Sequence, residues 1–429
     1  MKRRWTIMAA AVLGLAASLQ AAAAQETPNT GISGAVSLWT WPHNDRTLSS
    51  LLPEFNKAYP NIKVRIQGFP SGKNVYLNKL LSALLAGTGP DVAMVEINNV
   101  AQLSGKQQFA DLSKPPFNAG ALKADFAPFA WSKIEDPATG RIFALPKHTG
   151  PGALFYRRDL FEAAGLPGDP GALAATLKDW NAFIEAGRKI AKPNERWMVG
   201  TGNELVRAYI AQRGVSYFDK DGNLLVNGPV FKEAFELVVK ARDAGLISPF
   251  AMWTPEWQGA FARGQIATVV IGNWFGGLLK SAYAPGDAGK WGVVPAPAAE
   301  NGVSAFNWGG DFLGILETSE NKEAAWALVK WIALNDTSLK LQYENGDLYP
   351  AYTTAGKAPW INFQDPYYAG QNTNEIFAKV QAEMVPQTTN PLDSIAYLAV
   401  ETAVNAVVTS GKPVDAALAQ AEAEIKAKM

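Results

Sequence analysis

Apolar residues along the N-terminal part of the chain recur first at strand spacing and then at helix spacing. Residues 35–41 form a short strand-like run, after which Leu48, Leu51, Leu52, Phe55 and Tyr59 return at intervals of three and four until the Asn56–Pro60 stretch closes a helix. Ile62, Val64 and Ile66 then alternate with Lys63 and Arg65, so strand, helix and strand follow one another as a βαβ unit. A second helix is expected over 73–86, stopped by Gly87 and Gly89-Pro90, and another apolar strand over 92–95. Repeated βα alternation implies a mostly parallel sheet covered by helices, because right-handed crossovers put the helices on its faces.

Further along, Glu135 to Gly140 reads as a hairpin tip, and strands are expected over 142–145 and 154–156. Between them Lys147-His148-Thr149-Gly150-Pro151-Gly152 has the composition of a crossover, where glycine permits unusual dihedrals and proline interrupts pairing. Leu177, Trp180, Phe183, Ile184 and Ile190 predict an amphipathic helix, and residues 231–241 another. Asp219-Lys220-Asp221-Gly222 lacks the remaining ligands of a calcium loop and reads as a hairpin turn. Apolar strands at 267–271 and 291–294 precede Phe306-Asn307-Trp308-Gly309-Gly310-Asp311 and an apolar run over 312–315. That pattern places Trp274 and Trp308 at strand boundaries. Trp326, Val329 and Ile332 mark a later helix, and an alanine-rich helical stretch over 397–428 is broken at Gly411-Lys412-Pro413.

With 429 residues, 48% of them apolar, the chain can bury two sizeable cores. Lys2, Arg3 and Arg4, an apolar stretch over 7–19 and Ala22-x-Ala24 form a secretory signal peptide, with cleavage expected after about Ala24. Its loss leaves 36 basic against 39 acidic residues, with no basic tract to hold nucleic acid. There is no Cys, hence no disulfide, thiolate metal site or lipid-modified N-terminal Cys. A periplasmic location follows as the expectation. Only two His are present, whereas the 46 aromatics include 14 Trp, whose flat apolar faces suit stacking.

In open α/β sheets ligands bind beyond the carboxyl ends of the strands. Applied here, that rule gathers Trp41, His43, Asn44 and Asp45 after the first strand, Gly68, Phe69 and Ser71 after the second, and Glu96, Asn98 and Asn99 after the third. His148 lies in the Gly-rich crossover. Trp257 is preferred over Trp253 as an aromatic ligand face, and Asn273 with Trp274 follows a strand end. Asn307, Trp308, Gly309, Gly310 and Asp311 combine a stacking face, bare backbone and a carboxylate. Trp39 could turn either to the core or to the site.

The order of landmarks resembles the extracellular solute-binding proteins of ABC importers, in particular the carbohydrate-binding family that includes maltose-binding proteins. The resemblance is carried by Val36-Ser37-Leu38-Trp39-Thr40-Trp41, Phe55-Asn56-Lys57-Ala58-Tyr59-Pro60-Asn61-Ile62-Lys63-Val64 and Gly89-Pro90-Asp91-Val92. It continues in Phe143-Ala144-Leu145-Pro146, Leu154-Phe155-Tyr156-Arg157-Arg158-Asp159-Leu160-Phe161, Ala163-Ala164-Gly165-Leu166, Gly309-Gly310 and Glu323-Ala324-Ala325-Trp326, and so covers nearly the whole mature chain. Two stretches depart from the family: Tyr156-Arg157-Arg158-Asp159 replaces a frequent Tyr-Asn-Lys-Asp, and Leu348-Tyr349-Pro350-Ala351-Tyr352 a Leu-Pro-Ala-Arg pattern.

The resemblance implies an α/β fold of the two-lobed periplasmic-binding-protein type (type II), its discontinuous domains joined by a hinge. An N-terminal lobe of residues 31–147 plus 305–349 and a C-terminal lobe of 148–304 plus 350–429 are expected, crossed near Pro146, Ala305 and Tyr349-Pro350. A sugar or sugar derivative would sit between the lobes, and the closed complex would dock on an ABC permease. The protein is expected to be a monomer and not an enzyme, with no cofactor or metal. Two alternatives stand beside this reading: a secreted glycoside hydrolase drawing on Glu96, Glu256 and Asp311, and a metal-binding protein using Tyr367-Tyr368.

Overall fold

The computed structural model describes residues 28–70 and 74–429. The signal peptide expected over 1–24, and Ser71, lie outside these residues. Among the described residues nine strands are linked by pairing, seven of them along one path. They are β1 (Gly34–Thr40), β2 (Ile62–Gly68), β3 (Val92–Glu96), β4 (Leu145–Arg157), β5 (Trp197–Val199), β6 (Ile266–Gly272), β7 (Trp291–Val294), β8 (Asn307–Ile315) and β9 (Tyr349–Pro350). The order is β2-β1-β3-β8-β4-β6-β5, with β7 and β9 also pairing β4.

The N-terminal βα units form as their periodicity predicts. β1 pairs in parallel with β2 and with β3, and the helix Asn44–Ala58 between β1 and β2 buries Leu48, Leu51 and Phe55. The helix Val75–Ala86 ends on Gly87, whose φ of 66° makes it a left-handed C-cap. Antiparallel β8 then joins this otherwise parallel group through β3, setting Glu96 opposite Asp311. Two hydrophobic cores result. One collects residues under β1, β3 and the C-terminal half of β8 with the helix Lys322–Leu334, and the other gathers those around β6, β7 and the helices Gly202–Gln212, Pro229–Asp243 and Asp393–Ser410.

The connection between the cores differs from the sequence expectation. Residues 147–152 are not a break: β4 is one 13-residue strand, buried throughout, and runs straight through the Gly-Pro segment. Proline is tolerated because β4 changes partners there. Up to Pro151 it pairs β8 and β9, with register shifts around His148 and Thr149–Pro151, and from Gly152 onward it pairs β6 and β7. Trp308 is the second residue of β8, at the strand boundary where the sequence places it. The residues flanking the passage divide between the cores: Ala305 and Ala351 belong to the first, Phe306, Trp308 and Tyr349 to the second.

Glycine makes this passage possible. A Cβ on Gly150 would lie 2.4 Å from the Trp308 carbonyl oxygen, and one on Gly152 2.2 Å from the Phe306 ring. Backbone oxygen in a paired strand cannot step aside as a flexible side-chain end would. Gly150→Ala is therefore expected to lower unfolding free energy by about 1–3 kcal/mol or more. Chemical denaturation of the variant tests this, and a wild-type midpoint would show that β4 and β8 can separate at no cost.

Candidate functional site

Beneath the rim of the first core lies a buried charge cluster. Lys147, wholly buried on β4, places Nζ 3.5 Å from Asp311 Oδ2 on β8 and donates to Asn44 Oδ1 at 3.3 Å. His148 Nδ1 is 3.0 Å from the same Asp311 oxygen. Burial alone would raise the Asp311 carboxyl, but His148 and Lys147 outweigh it and hold it below its ordinary 3.8. Burial in turn lowers the pKa of both cations. Through Lys147 the cluster ties the start of the helix Asn44–Ala58 to the strands that pass between the cores.

Above this cluster the polar groups continue. Glu96, at the end of β3, accepts from the Asn98 backbone N–H at 3.1 Å and from Asn98 Nδ2 at 2.8 Å. Burial pushes its carboxyl up to about 7, with Arg207 pulling the other way and Asp311 adding repulsion. Asn98 Oδ1 meets Arg207 Nη2 at 3.5 Å, a contact from the first core to the second. The Arg207 guanidinium lies 4.5 Å from the ring centre of Trp308 and 5.3 Å from that of Tyr397. Cation–π contacts of this kind are worth about 0.5–2 kcal/mol each.

Trp274, half-buried after β6, donates its indole N–H to the Trp308 carbonyl at 2.6 Å. It stacks on Trp253 with centroids 6.0 Å apart and planes at 25°. Trp253 is 42% exposed and holds φ at 69°. A bulky residue in the left-handed region costs on the order of 1–3 kcal/mol, the kind of strain that concentrates at binding sites. On the opposite rim Trp41 is half-buried, with its ring 5.7 Å from Tyr76. His43 has φ 74° and accepts from Arg46 at 2.6 Å through Nδ1; burial and then Arg46 lower its pKa, as suits a neutral ring. Asp45 packs against Gly68, where a Cβ would approach its Oδ2 to 2.4 Å.

Between the cores is a cavity of about 70 Å³, lined on one side by Asn98, Phe129 and Lys133 and on the other by Arg207, Asn307 and Asp393. Asn307 donates Nδ2–H to the Gly309 carbonyl at 2.8 Å, and Gly309 and Gly310 hold φ at 120° and 129°, so this end of β8 is shaped by backbone that glycine favours.

Two expected site residues belong elsewhere. Trp257 is fully buried in the second core among Phe261, Phe275 and Tyr283, while its neighbour Trp253 presents the exposed face. The helix Pro255–Ala262 turns position 257 inward, a phase that the isolated Trp pair did not reveal. Asn273 is also wholly buried, donating through Nδ2 to the Asp347 carbonyl. Arg207, Lys133, Asp393 and Tyr397 were not anticipated. Arg207 is the one residue of the helix Gly202–Gln212 that is not buried, and the Thr201/Glu204 capping box marks that helix in sequence. The carboxylates of the hydrolase alternative do not converge as a set: Glu96 and Asp311 face each other across β3 and β8, whereas Glu256 is exposed on the helix Pro255–Ala262. The hydroxyls of Tyr367 and Tyr368 are engaged by the Ala284 carbonyl and Asp347 Oδ2, both at 2.8 Å.

Two α/β cores joined through shared strands, with a polar and aromatic cleft between them, define a type II two-lobed solute-binding protein. The chain belongs to the bacterial extracellular solute-binding protein family, whose profile matches residues 41–337. It is 27% identical over 416 residues to a lactose-binding protein of Rhizobium radiobacter, covering 92% of this chain and 93% of that protein. It is 26% identical over 330 residues to an arabinooligosaccharide-binding protein of Bacillus subtilis, covering 73% of each. Among solved structures, the ABC transporter associated binding protein from B. animalis subsp. lactis in complex with β-1,6-galactobiose superposes with a TM-score of 0.77 and 25% identity, covering 92% of this chain and 97% of that one. The GacH receptor of Streptomyces glaucescens gives 0.76 at 22% identity, covering 92% and 98%. Among the described residues no helix is long and apolar enough to cross a membrane.

The charge cluster makes a signed prediction. Replacing Asp311 by Ala strands buried Lys147 and His148 and is expected to cost about 3–5 kcal/mol at pH 7, read by urea unfolding. Because the folded-state pKa of Asp311 is depressed, its contribution is complete above about pH 4 and disappears as pH falls through the lowered value. Glu96 runs the other way. Its raised pKa means that its contribution is full below its ordinary 4.5 and is lost as pH climbs through about 7, so Glu96→Gln should raise the unfolding midpoint at pH 8 and leave it unchanged at pH 4.5. Equal shifts at both pH values would contradict this.

Proposed function

We propose that this protein is the periplasmic substrate-binding component of an ABC importer that captures a sugar or short oligosaccharide between its lobes and delivers it to a membrane permease. The observation that carries the reading is the interlobe band of Trp253, Trp274, Trp308 and Arg207, facing Asn98 and Glu96, within a family of solute-binding proteins. Indole faces cover the C–H faces of a pyranose, while amides, carboxylates and guanidinium pair with its hydroxyl edge. The relatives named for lactose and arabinooligosaccharides, and the galactobiose complex, support a carbohydrate over other solutes.

Trp41, His43, Asn44, Asp45, Glu96, Asn98, Trp274 and Asn307 form the ligand-facing set, joined by Arg207, Trp253 and Tyr397. Trp308, Gly309, Gly310, His148 and Asp311 serve as its support. The two cores are read as lobes, close to 31–147 plus 305–349 and 148–304 plus 350–429, hinged where β4, β8 and β9 pass between them. A cavity of about 70 Å³ is far below the roughly 300 Å³ at which pockets for drug-sized ligands begin, so a disaccharide requires the lobes to part before it enters. The protein acts as a monomer and leaves its ligand chemically intact.

Thermal unfolding of the mature protein with lactose, β-1,6-galactobiose, maltose and an arabinooligosaccharide tests the proposal. At least one sugar should raise the midpoint, a hundredfold excess over Kd adding about 2.7 kcal/mol. Trp41→Ala and Arg207→Ala should abolish that rise while the ligand-free midpoint changes little. No shift with any of the four excludes them as ligands, and appearance of hydrolysed sugar would revive the glycosidase alternative.

A further inference from the structure

Asp393 opens the helix Asp393–Ser410 on the second core and lines the cavity between the cores. It is only 8% exposed. One carboxylate oxygen, Oδ2, accepts from the Asn390 backbone N–H at 2.8 Å; the other, Oδ1, is buried and has no hydrogen-bond partner among the described residues. Leaving a buried charged acceptor unmade is expensive, so such a group calls for an explanation. The positive charge nearest to hand is Lys133, reaching in from the first core, where its ammonium donates to the Gln387 carbonyl and lies 5.3 Å from the Phe129 ring centre. Burial pushes the Asp393 carboxyl up to about 6, with the Asn390 N–H and Lys133 opposing, and burial brings Lys133 down to about 8, with Asp393 opposing. Each charge is thus incompletely compensated by its surroundings.

We propose that Asp393 is a ligand-recognition residue, its Oδ1 accepting a hydrogen bond from a hydroxyl of the bound molecule, with Lys133 donating to a neighbouring oxygen from the other lobe. Asp393 and Lys133 line one small cavity from opposite cores, and an acceptor and a donor so placed match adjacent hydroxyl groups on a sugar ring once parting of the lobes uncovers Oδ1. A carboxylate or phosphate placed there would instead meet the unpaired Oδ1. The inference deepens the proposed function and rests on it: this end of the cleft takes a neutral ring with free hydroxyls and discriminates by their positions.

Asp393→Asn is the informative variant, because an amide oxygen can keep the Asn390 bond while the amide NH₂ replaces the free acceptor with a donor. Titration calorimetry of wild type and variant with lactose, β-1,6-galactobiose, maltose and an arabinooligosaccharide should show at least a tenfold loss of affinity for each sugar the wild type binds, with a ligand-free melting midpoint at pH 8 that is not lowered. Monodeoxy analogues of a bound sugar provide the second measurement. At one hydroxyl, deletion should weaken the wild type and leave the variant without further loss, since both changes remove the same bond. Wild-type affinity retained by the variant overturns the role of Asp393 alone, as does strict additivity at every hydroxyl. Failure of the wild type to bind any of the four sugars excludes them as ligands and overturns this inference as it is stated for their rings.

Discussion

The antiparallel meeting of β4 and β8 constrains everything else in this molecule. β4 lends its first half to one sheet and its second half to another, so the two cores share covalent strands as well as surface. Side chains cannot fill that junction, because Cβ atoms at Gly150 and Gly272 would fall 2.4 and 2.1 Å from the same Trp308 carbonyl. Bare backbone lets the strands approach, and the carbonyl so positioned receives the Trp274 indole N–H. The aromatic wall of the cleft is therefore hung directly on the passage between the cores. A movement of one core against the other cannot leave Trp274 and Trp308 behind.

Low dielectric does two opposite things around this junction. Below the rim Lys147 and His148 compensate the Asp311 carboxylate and hold its pKa below the ordinary value, and removing Asp311 would leave both buried bases without their acid partner. Inside the cleft the same environment leaves carboxyl groups undercompensated: Glu96 is pushed up to about 7 and Asp393 to about 6. Compensated charge fixes geometry, whereas the proposed site draws on carboxyl groups whose burial is not fully offset. The distinction separates support from recognition without reference to sequence position.

Much of the architecture was legible in the chain because local periodicity and global packing agree in the βα units. Apolar alternation at Ile62, Val64 and Ile66, and the helical stripe from Leu48 to Phe55, each had one consistent burial solution. The junction was not legible, since Gly150-Pro151-Gly152 carries the local signature of a break while tertiary pairing makes it a strand that exchanges partners. The site divided in the same way. Of the proposed set, the strand-end rule names Trp41, Asn44, Glu96 and Asn98, whereas Arg207 and Asp393 come to the cavity between the cores through packing of the second core and Lys133 through packing of the first. The sequence favoured Trp257 over Trp253 as the aromatic face; a left-handed backbone at Trp253 and the inward phase of the following helix reverse that choice.

Arg207 shows why such a cleft has reason to wait for a ligand. Its guanidinium lies against Trp308 and Tyr397 and reaches Asn98 across the gap at 3.5 Å, the outer limit of a hydrogen bond. So long a contact contributes little, and beside it the Lys133 ammonium on the Gln387 carbonyl is a second polar link between the cores. A molecule whose hydroxyls pair with both sides at ordinary distances would add to that attraction, and it can favour closure only by the difference between its contacts in the closed and open forms. Stacking on one lobe alone is available in both forms and drops out of that difference. What remains is the set of groups that a ligand can touch simultaneously only when the lobes are together, and the groups proposed for that role in this chain are Asn98, Glu96 and Lys133 from one core with Arg207 and Asp393 from the other.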